Sequence, residues 1–476
     1  MMIRPLFIQR RDMRSRRFFL WIGLLAALPS ASLFAAENGG GEAVTHAGSA
    51  LTFLWIAVIL VAAKFSSFIE RIGQPPILGE LLAGLFLGNL TLLGIHVFEP
   101  IKHNEVITFL AELGVVILLF QLGLESNMRQ MAKVGISAFL VGLIGIILPF
   151  ALGTFVVGPW LLPDMSFGGY LFLGATLTAT STGIASQIFR DLGKFNTPEA
   201  KIVLGAAVID DVLALVILGA VSAIATVGTI SAGTVTLLTV KAILFLVGAI
   251  AVGHFSAPYL GKIFSRIHQG IGMKFTLAIA FGLTFAYLAD RAGLAPIVGA
   301  FAAGLVLDPV HFRHFKSAKV VHDIEEVTAD LPQPHKDRIT HTLEQHAHRH
   351  IEDIIEPVGL FLVPIFFILT SMQVRIDALF NLSNALLVLG LTAAAVVGKL
   401  VAGLGARNAN KLIVSIGMIP RGEVGLIFAT IGRGLGVVSE TAFSVIVVMV
   451  ILTTILTPPI LVWLLKRQAN TVPAIV

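Results

Sequence analysis

The sequence predicts an all-α polytopic membrane protein of about thirteen spans, arranged as two inverted five-helix repeats with broken helices at mid-membrane. Three observations carry this prediction. Of the 476 residues, 56% are hydrophobic and only 13% charged, and the mean hydropathy is +0.91. So few charges could not cover a soluble chain of this length. Second, a twelve-residue stretch recurs without a gap, "PILGELLAGLFL" from Pro76 and "PIVGAFAAGLVL" from Pro296. Third, two apolar runs are interrupted, by the hydroxyls of "TLTATSTGIA" (176–185) and by "GMIPRGEVGLI" (417–427).

The elements follow in order. Residues 1–36 read as a signal peptide: a basic start, an apolar run from Phe18 to Leu28, then small residues before a cleavage site near Ala35 or Ala36. "SRRFFL" within it resembles a twin-arginine signal. Apolar runs bounded by turn and charge signals then give spans at about 51–71, 76–95, 106–124, 135–158, 168–189, 200–227, 234–258, 273–290, 294–307, 355–373, 381–405, 411–433 and 440–465. The formal charge of +5 bears on orientation rather than on nucleic acid. Placing Arg71, Arg129, Lys133, Arg190, Lys194, Lys201, Lys262, Arg266 and Lys274 in the cytoplasm also places the 308–354 loop, Arg407, Lys411, Lys466 and Arg467 there. The outside loops keep Lys102, Arg291, Arg375 and Arg433, which predicts an N-terminus outside and a C-terminus inside. Cysteine is absent, so disulfides and Cys-ligated metals are excluded.

The recurring stretch opens span two and span nine, so residues 76–227 and 294–465 form two sets of five spans. An odd set repeated enters the membrane from opposite sides. "IFRDLG" (188–193) and "IGRGLG" (431–436) echo each other at the ends of the paired spans five and twelve. In such repeats the site lies at the midplane, where broken helices meet and protein or water surrounds the freed backbone groups.

"GAAVIDDVLALVILGA" puts Asp210 and Asp211 about ten residues, roughly 15 Å, into span six. Ionisable groups at that depth mark ion or proton pathways. The two acids point about 100° apart and cannot both ionise without a cation or a proton beside them. Lys399 in span eleven is their natural partner and a usable proton carrier, although a side chain so near Arg407 also has the reach to snorkel outward. Thr180, Ser181 and Thr182 offer oxygens for a hard monovalent cation, or bonds back to their own helix. Glu423 and Arg421 suit half-helix ends in span twelve, negative at an N-terminus and positive at a C-terminus, or a pairing with each other. The polar segment 308–354 reads as a His-rich cytoplasmic loop, with His341, His346, His348 and His350 able to sense pH or bind a metal.

"RIGQPPILGELLAGLFLG", "ELGVVILLFQLGLE", "VIDDVLAL", "GAFAAGL", "VGK" and "PRGEVGLI" together resemble the cation:proton antiporters of the bacterial NapA and Kef branch, over residues 51–466. The resemblance implies a panel domain for dimerisation, a mobile six-helix core domain, a homodimer and elevator-like alternating access. It also implies that Asp211 is the main carboxylate for ion and proton, that Asp210 exchanges a salt bridge with Lys399, that Thr180 and Ser181 line the break, and that Glu423 supports the crossing. No gating of the Kef kind, by a nucleotide-binding regulatory domain, is expected. The expected function is exchange of a monovalent cation, Na⁺ or Li⁺, for protons across the bacterial inner membrane; K⁺/H⁺ exchange is the alternative, and a cation channel a more distant one. Any net charge moved would draw about 2.3 kcal/mol per 100 mV of membrane potential. Expected partners are the cation, protons, the bilayer and a second copy of the chain, with no nucleic acid, no resident cofactor and no enzymatic activity.

Overall fold

The computed structural model describes residues 41–125, 135–227, 232–307, 315, 333–377 and 381–471, and among these no strand occurs. The expected signal peptide lies outside the described residues. In chain order the helices are α1 (Gly41–Ser66), α2 (Pro76–Gly88), α3 (Glu105–Glu125), α4 (Ile136–Ala151), α5 (Phe167–Thr178), α6 (Thr182–Asp191), α7 (Pro198–Val227) and α8 (Ala232–Ile267). There follow α9 (Ile271–Arg291), α10 (Pro296–Val306), α11 (Gln333–Met372), α12 (Leu382–Ala402), α13 (Lys411–Gly417), α14 (Glu423–Gly434) and α15 (Glu440–Thr471). Among the described residues nine helices are long and apolar enough to cross a membrane, and α2 and α10 are shorter apolar helices. Spans five and twelve are each split in two, as α5–α6 and α13–α14. Large apolar side chains such as Phe53, Trp160 and Phe255 are 71%, 77% and 77% exposed, a surface suited to lipid rather than water.

Two layers form. α3 packs against α10 and α11, and α1, α2 and α9 join them. In the other layer α4 packs against α7 and α12, around α5, α14 and α15. α8 touches both, through α7 on one side and α9 and α10 on the other.

The repeat has a packing explanation. α2 and α10 each begin with proline, whose missing N–H costs nothing in the first helical turn. Their matched glycines then admit a neighbouring backbone. A methyl group on Gly79 or Gly299 would overlap the carbonyl oxygen of Ser66 or Phe285, and one on Gly84 or Gly304 that of Ile368 or Phe120. The shared residues are therefore the ones that let two short helices sit tightly in their layer.

One element differs from the sequence reading. α11 starts at Gln333, so helix continues into the second half of the segment expected as a loop. A polar, histidine-rich sequence carries no apolar stripe to announce a helix, but it contains no Gly, and no Pro after Pro334 until Pro357, to stop one extending from the span. The first half of that segment, apart from Phe315, lies outside the described residues.

Candidate functional site: the crossing of two broken helices

The two interruptions meet. α5 ends where Ala179 turns extended, and α6 restarts after Ser181. α13 ends at Gly417, and α14 starts after Gly422, whose backbone (φ −136°, ψ −138°) leaves the helix. The N–H of Ser181 donates to the carbonyl of Pro420 at 2.8 Å, which joins the two breaks directly. The Thr180 hydroxyl donates to the Met418 carbonyl at 3.3 Å. A Cβ at Gly422 would fall 2.7 Å from that of Ser181, so glycine is needed for the approach. Backbone groups freed by each break are thus partly satisfied by the other, which makes irregular backbone tolerable inside a membrane protein.

The charged side chains surround this crossing. Lys399 on α12 and Asp210 on α7 are both fully buried, and the Lys399 Nζ donates to Asp210 Oδ2 at 3.0 Å and to Oδ1 at 3.2 Å. The lysine turns inward and does not snorkel. Lys64 and Lys241, by contrast, are exposed. Asp211 is only partly buried, one residue further around α7. The adjacent acids therefore have different surroundings: Asp210 is fully buried in an ion pair with Lys399, and Asp211 is partly exposed and within electrostatic reach of the same lysine.

Arg421 and Glu423 do not form an ion pair with each other. Arg421 is fully buried and donates through Nη1 to the carbonyls of Thr178 (3.0 Å) and Ala179 (2.7 Å), and through Nη2 to that of Ala395 (3.2 Å). It thus caps the C-terminal end of α5, in span five. The sequence reading placed its charge at an end of span twelve, where it resides in the chain. In the structure it serves the end of the other broken span, because the crossing carries the loop of one over the end of the other. Glu423 sits in the first turn of α14, where a negative charge is favourable, and accepts a hydrogen bond from the Ser181 hydroxyl at 3.3 Å. Ser181 precedes α6 yet does not cap it; its hydroxyl is used across the crossing. Thr182 begins α6, and its side chain is outside the described residues.

Three participants were not singled out from sequence. Thr454 on α15 donates to the Arg421 carbonyl at 2.6 Å. Ala395 contributes only a backbone oxygen, which no sequence motif could signal. Glu125 at the end of α3 lies within electrostatic reach of Glu423 and is the acid of the quoted "FQLGLE" run, so a charge at the end of an apolar span was its available signal. His341, His346, His348 and His350 are on the first turns of α11, far along the chain from the crossing, and their side chains are outside the described residues. Among the described residues no group of three metal-ligating side chains converges.

The arrangement provides two carboxylates of unequal exposure, a buried amine, hydroxyls and a permanent cation, all at a break between helices. The profile of the sodium/hydrogen exchanger transmembrane family matches residues 56–334 and 338–467. The chain is 33% identical to the Na⁺/H⁺-K⁺ antiporter GerN of Bacillus cereus over 419 residues, covering 86% of this chain and 95% of that one. It is 30% identical over 443 residues to the high-affinity Na⁺/H⁺ antiporter NhaS3 of Synechocystis sp., covering 85% and 88%. In fold it is similar to the sodium proton antiporter MjNhaP1 of Methanocaldococcus jannaschii, at 17% identity and a TM-score of 0.60 over 89% of this chain and 99% of that one. The chain belongs to the sodium/hydrogen exchanger family of transmembrane proteins.

Proposed function

We propose that this chain is a secondary antiporter that exchanges Na⁺ for H⁺ across the bacterial inner membrane. The observation that carries the reading is the unequal acid pair: Asp210 is closed in a buried ion pair with Lys399, while Asp211 beside it is partly exposed. A cation at Asp211 and a proton on the same group are mutually exclusive, and that competition couples the two flows. When a cation binds, Lys399 can leave Asp210 and give up its proton; when the cation departs, Lys399 takes a proton back and re-forms the pair. Thr180 and Ser181 supply neutral oxygens at the break, and Glu423 holds the start of α14 to Ser181. The layer of α4–α7 and α12–α15 would move as the core against the other layer, with the N-terminus outside, the C-terminus in the cytoplasm and two copies joined through the second layer.

Potassium in place of sodium is the second reading, favoured by the likeness to GerN, which is described as a Na⁺/H⁺-K⁺ antiporter. Hydroxyl and carboxylate oxygens serve either ion. The test is purified protein in proteoliposomes with a pH-sensitive dye, comparing Na⁺, Li⁺ and K⁺ gradients. Exchange should be Na⁺-driven in the native chain and absent in Asp211→Asn, which keeps the shape of the side chain but can neither take a proton nor balance a cation. A channel would instead pass cations with no proton counterflow. Near-normal exchange by a folded Asp211→Asn protein would remove Asp211 from the mechanism.

A further inference from the structure

We propose that Arg421 acts as a tethered competitor of the transported cation, holding the carbonyl end of the broken helix and keeping a cation at Asp211 weakly bound. The inference rests on the exchange reading above. In interrupted transmembrane helices the freed carbonyls and half-helix C-terminal ends are the groups that coordinate a small cation. Here the carbonyls of Thr178, Ala179 and Ala395 already receive a guanidinium, at 3.0, 2.7 and 3.2 Å. That guanidinium is fully buried, and the Thr454 hydroxyl fixes the peptide behind it. An arginine keeps its charge at any working pH, so the carbonyl end of α5 never becomes vacant for the cargo.

The placement also has a consequence for affinity. Arg421 is within electrostatic reach of Asp210 and of Lys399. The hydrogen-bond partners of its guanidinium are neutral: the backbone carbonyls of Thr178, Ala179 and Ala395. A cation reaching Asp211 therefore sits one residue from Asp210, which lies within electrostatic reach of that permanent positive charge, and among the described residues no carboxylate is hydrogen-bonded to the guanidinium. Repulsion from that charge weakens binding without blocking it. A transport site needs this, because an ion must be held strongly enough to enter and weakly enough to leave. Among the described residues the buried Nε of Arg421 has no hydrogen-bond partner, and the side chain is held by its two terminal nitrogens.

Arg421→Met and Arg421→Gln remove the charge, and Arg421→Lys keeps it with fewer donors. Half-saturating Na⁺ and maximal rate are measured for each in proteoliposomes, after confirming a monodisperse, folded protein. Both neutral variants should bind Na⁺ more tightly, with KM lower by roughly tenfold for one unit charge removed from a poorly screened site, and a lower kcat because release slows. Arg421→Lys should stay within about threefold of the native KM. A purely structural role would lower kcat or the yield of folded protein and leave KM in place. Unchanged or raised KM in the neutral variants overturns the proposal, as does an Arg421→Lys shift as large as theirs. Two neutral variants, one apolar and one polar, guard against loss of either to misfolding. If the native protein shows no Na⁺-driven proton flux, the exchange reading has failed and not this inference.

Discussion

Breaking the Lys399–Asp210 pair from each side in turn should destabilise the protein unequally. The two groups are fully buried and 3.0 Å apart. At an effective dielectric of about 20, two unit charges at that separation attract by about 5 kcal/mol. Removing one partner of a buried pair costs about 3–5 kcal/mol, because the other is left uncompensated. Lys399→Gln leaves Asp210 with Arg421 still in electrostatic reach, so part of the compensation survives. Asp210→Asn leaves Lys399 and Arg421, two positive groups already within reach of each other, without the acid they share and with Lys399 only in the weaker reach of Asp211. The second change should therefore lose more than the first. In detergent, thermal unfolding should fall by roughly 5–10 °C for these variants, Asp210→Asn being the lower. The double variant should lose less than the sum of the singles, with a coupling of about 1–3 kcal/mol as for side chains in direct contact. Lys399→Gln should also make exchange less voltage-dependent, since a titrating charge is gone from the moving site. Additive losses, or a milder effect for Asp210→Asn, would refute the reasoning about how these three charges share the crossing.

The repeat and the histidine segment yield two further expectations. Gly304→Ala places a methyl group against the Phe120 carbonyl, with no flexible side chain to give way, and should cost about 1–3 kcal/mol, read as a lower melting temperature in detergent; native-like melting would mean that α3 and α10 can separate freely. Deleting Thr340–His350 removes eleven residues, about three turns, so the helical phase of α11 into its span is kept. Exchange should persist in that variant while its pH range or Zn²⁺ response changes, measured from pH 6 to 9 with and without Zn²⁺; an identical profile would leave the histidines as a plain solvated segment.

The sequence by itself determined the class of fold and the chemistry available to it. Spans are legible because hydrocarbon demands long apolar runs, and Asp210 and Asp211 stand out because a charge inside such a run is costly. The repeat was visible because the same close backbone approach at Gly79 and Gly299, and at Gly84 and Gly304, imposes the same small residue twice. Breaks in spans five and twelve could be read from local hydroxyl, proline and glycine content. Tertiary structure alone decided which partner each charge takes. Asp210 and Lys399 are 189 residues apart in the chain, and two acids adjacent in sequence differ in exposure only because α7 turns one toward α12. Arg421 serves the end of α5 rather than its own span, since the crossing of two loops sets which carbonyls lie within its reach. α11 runs into a segment with no apolar period, because a helix nucleated in the membrane can extend through polar residues that do nothing to stop it. Periodicity and transfer cost act along the chain and can be read there. Partner choice depends on where separate helices are brought together by packing, and no local pattern encodes that.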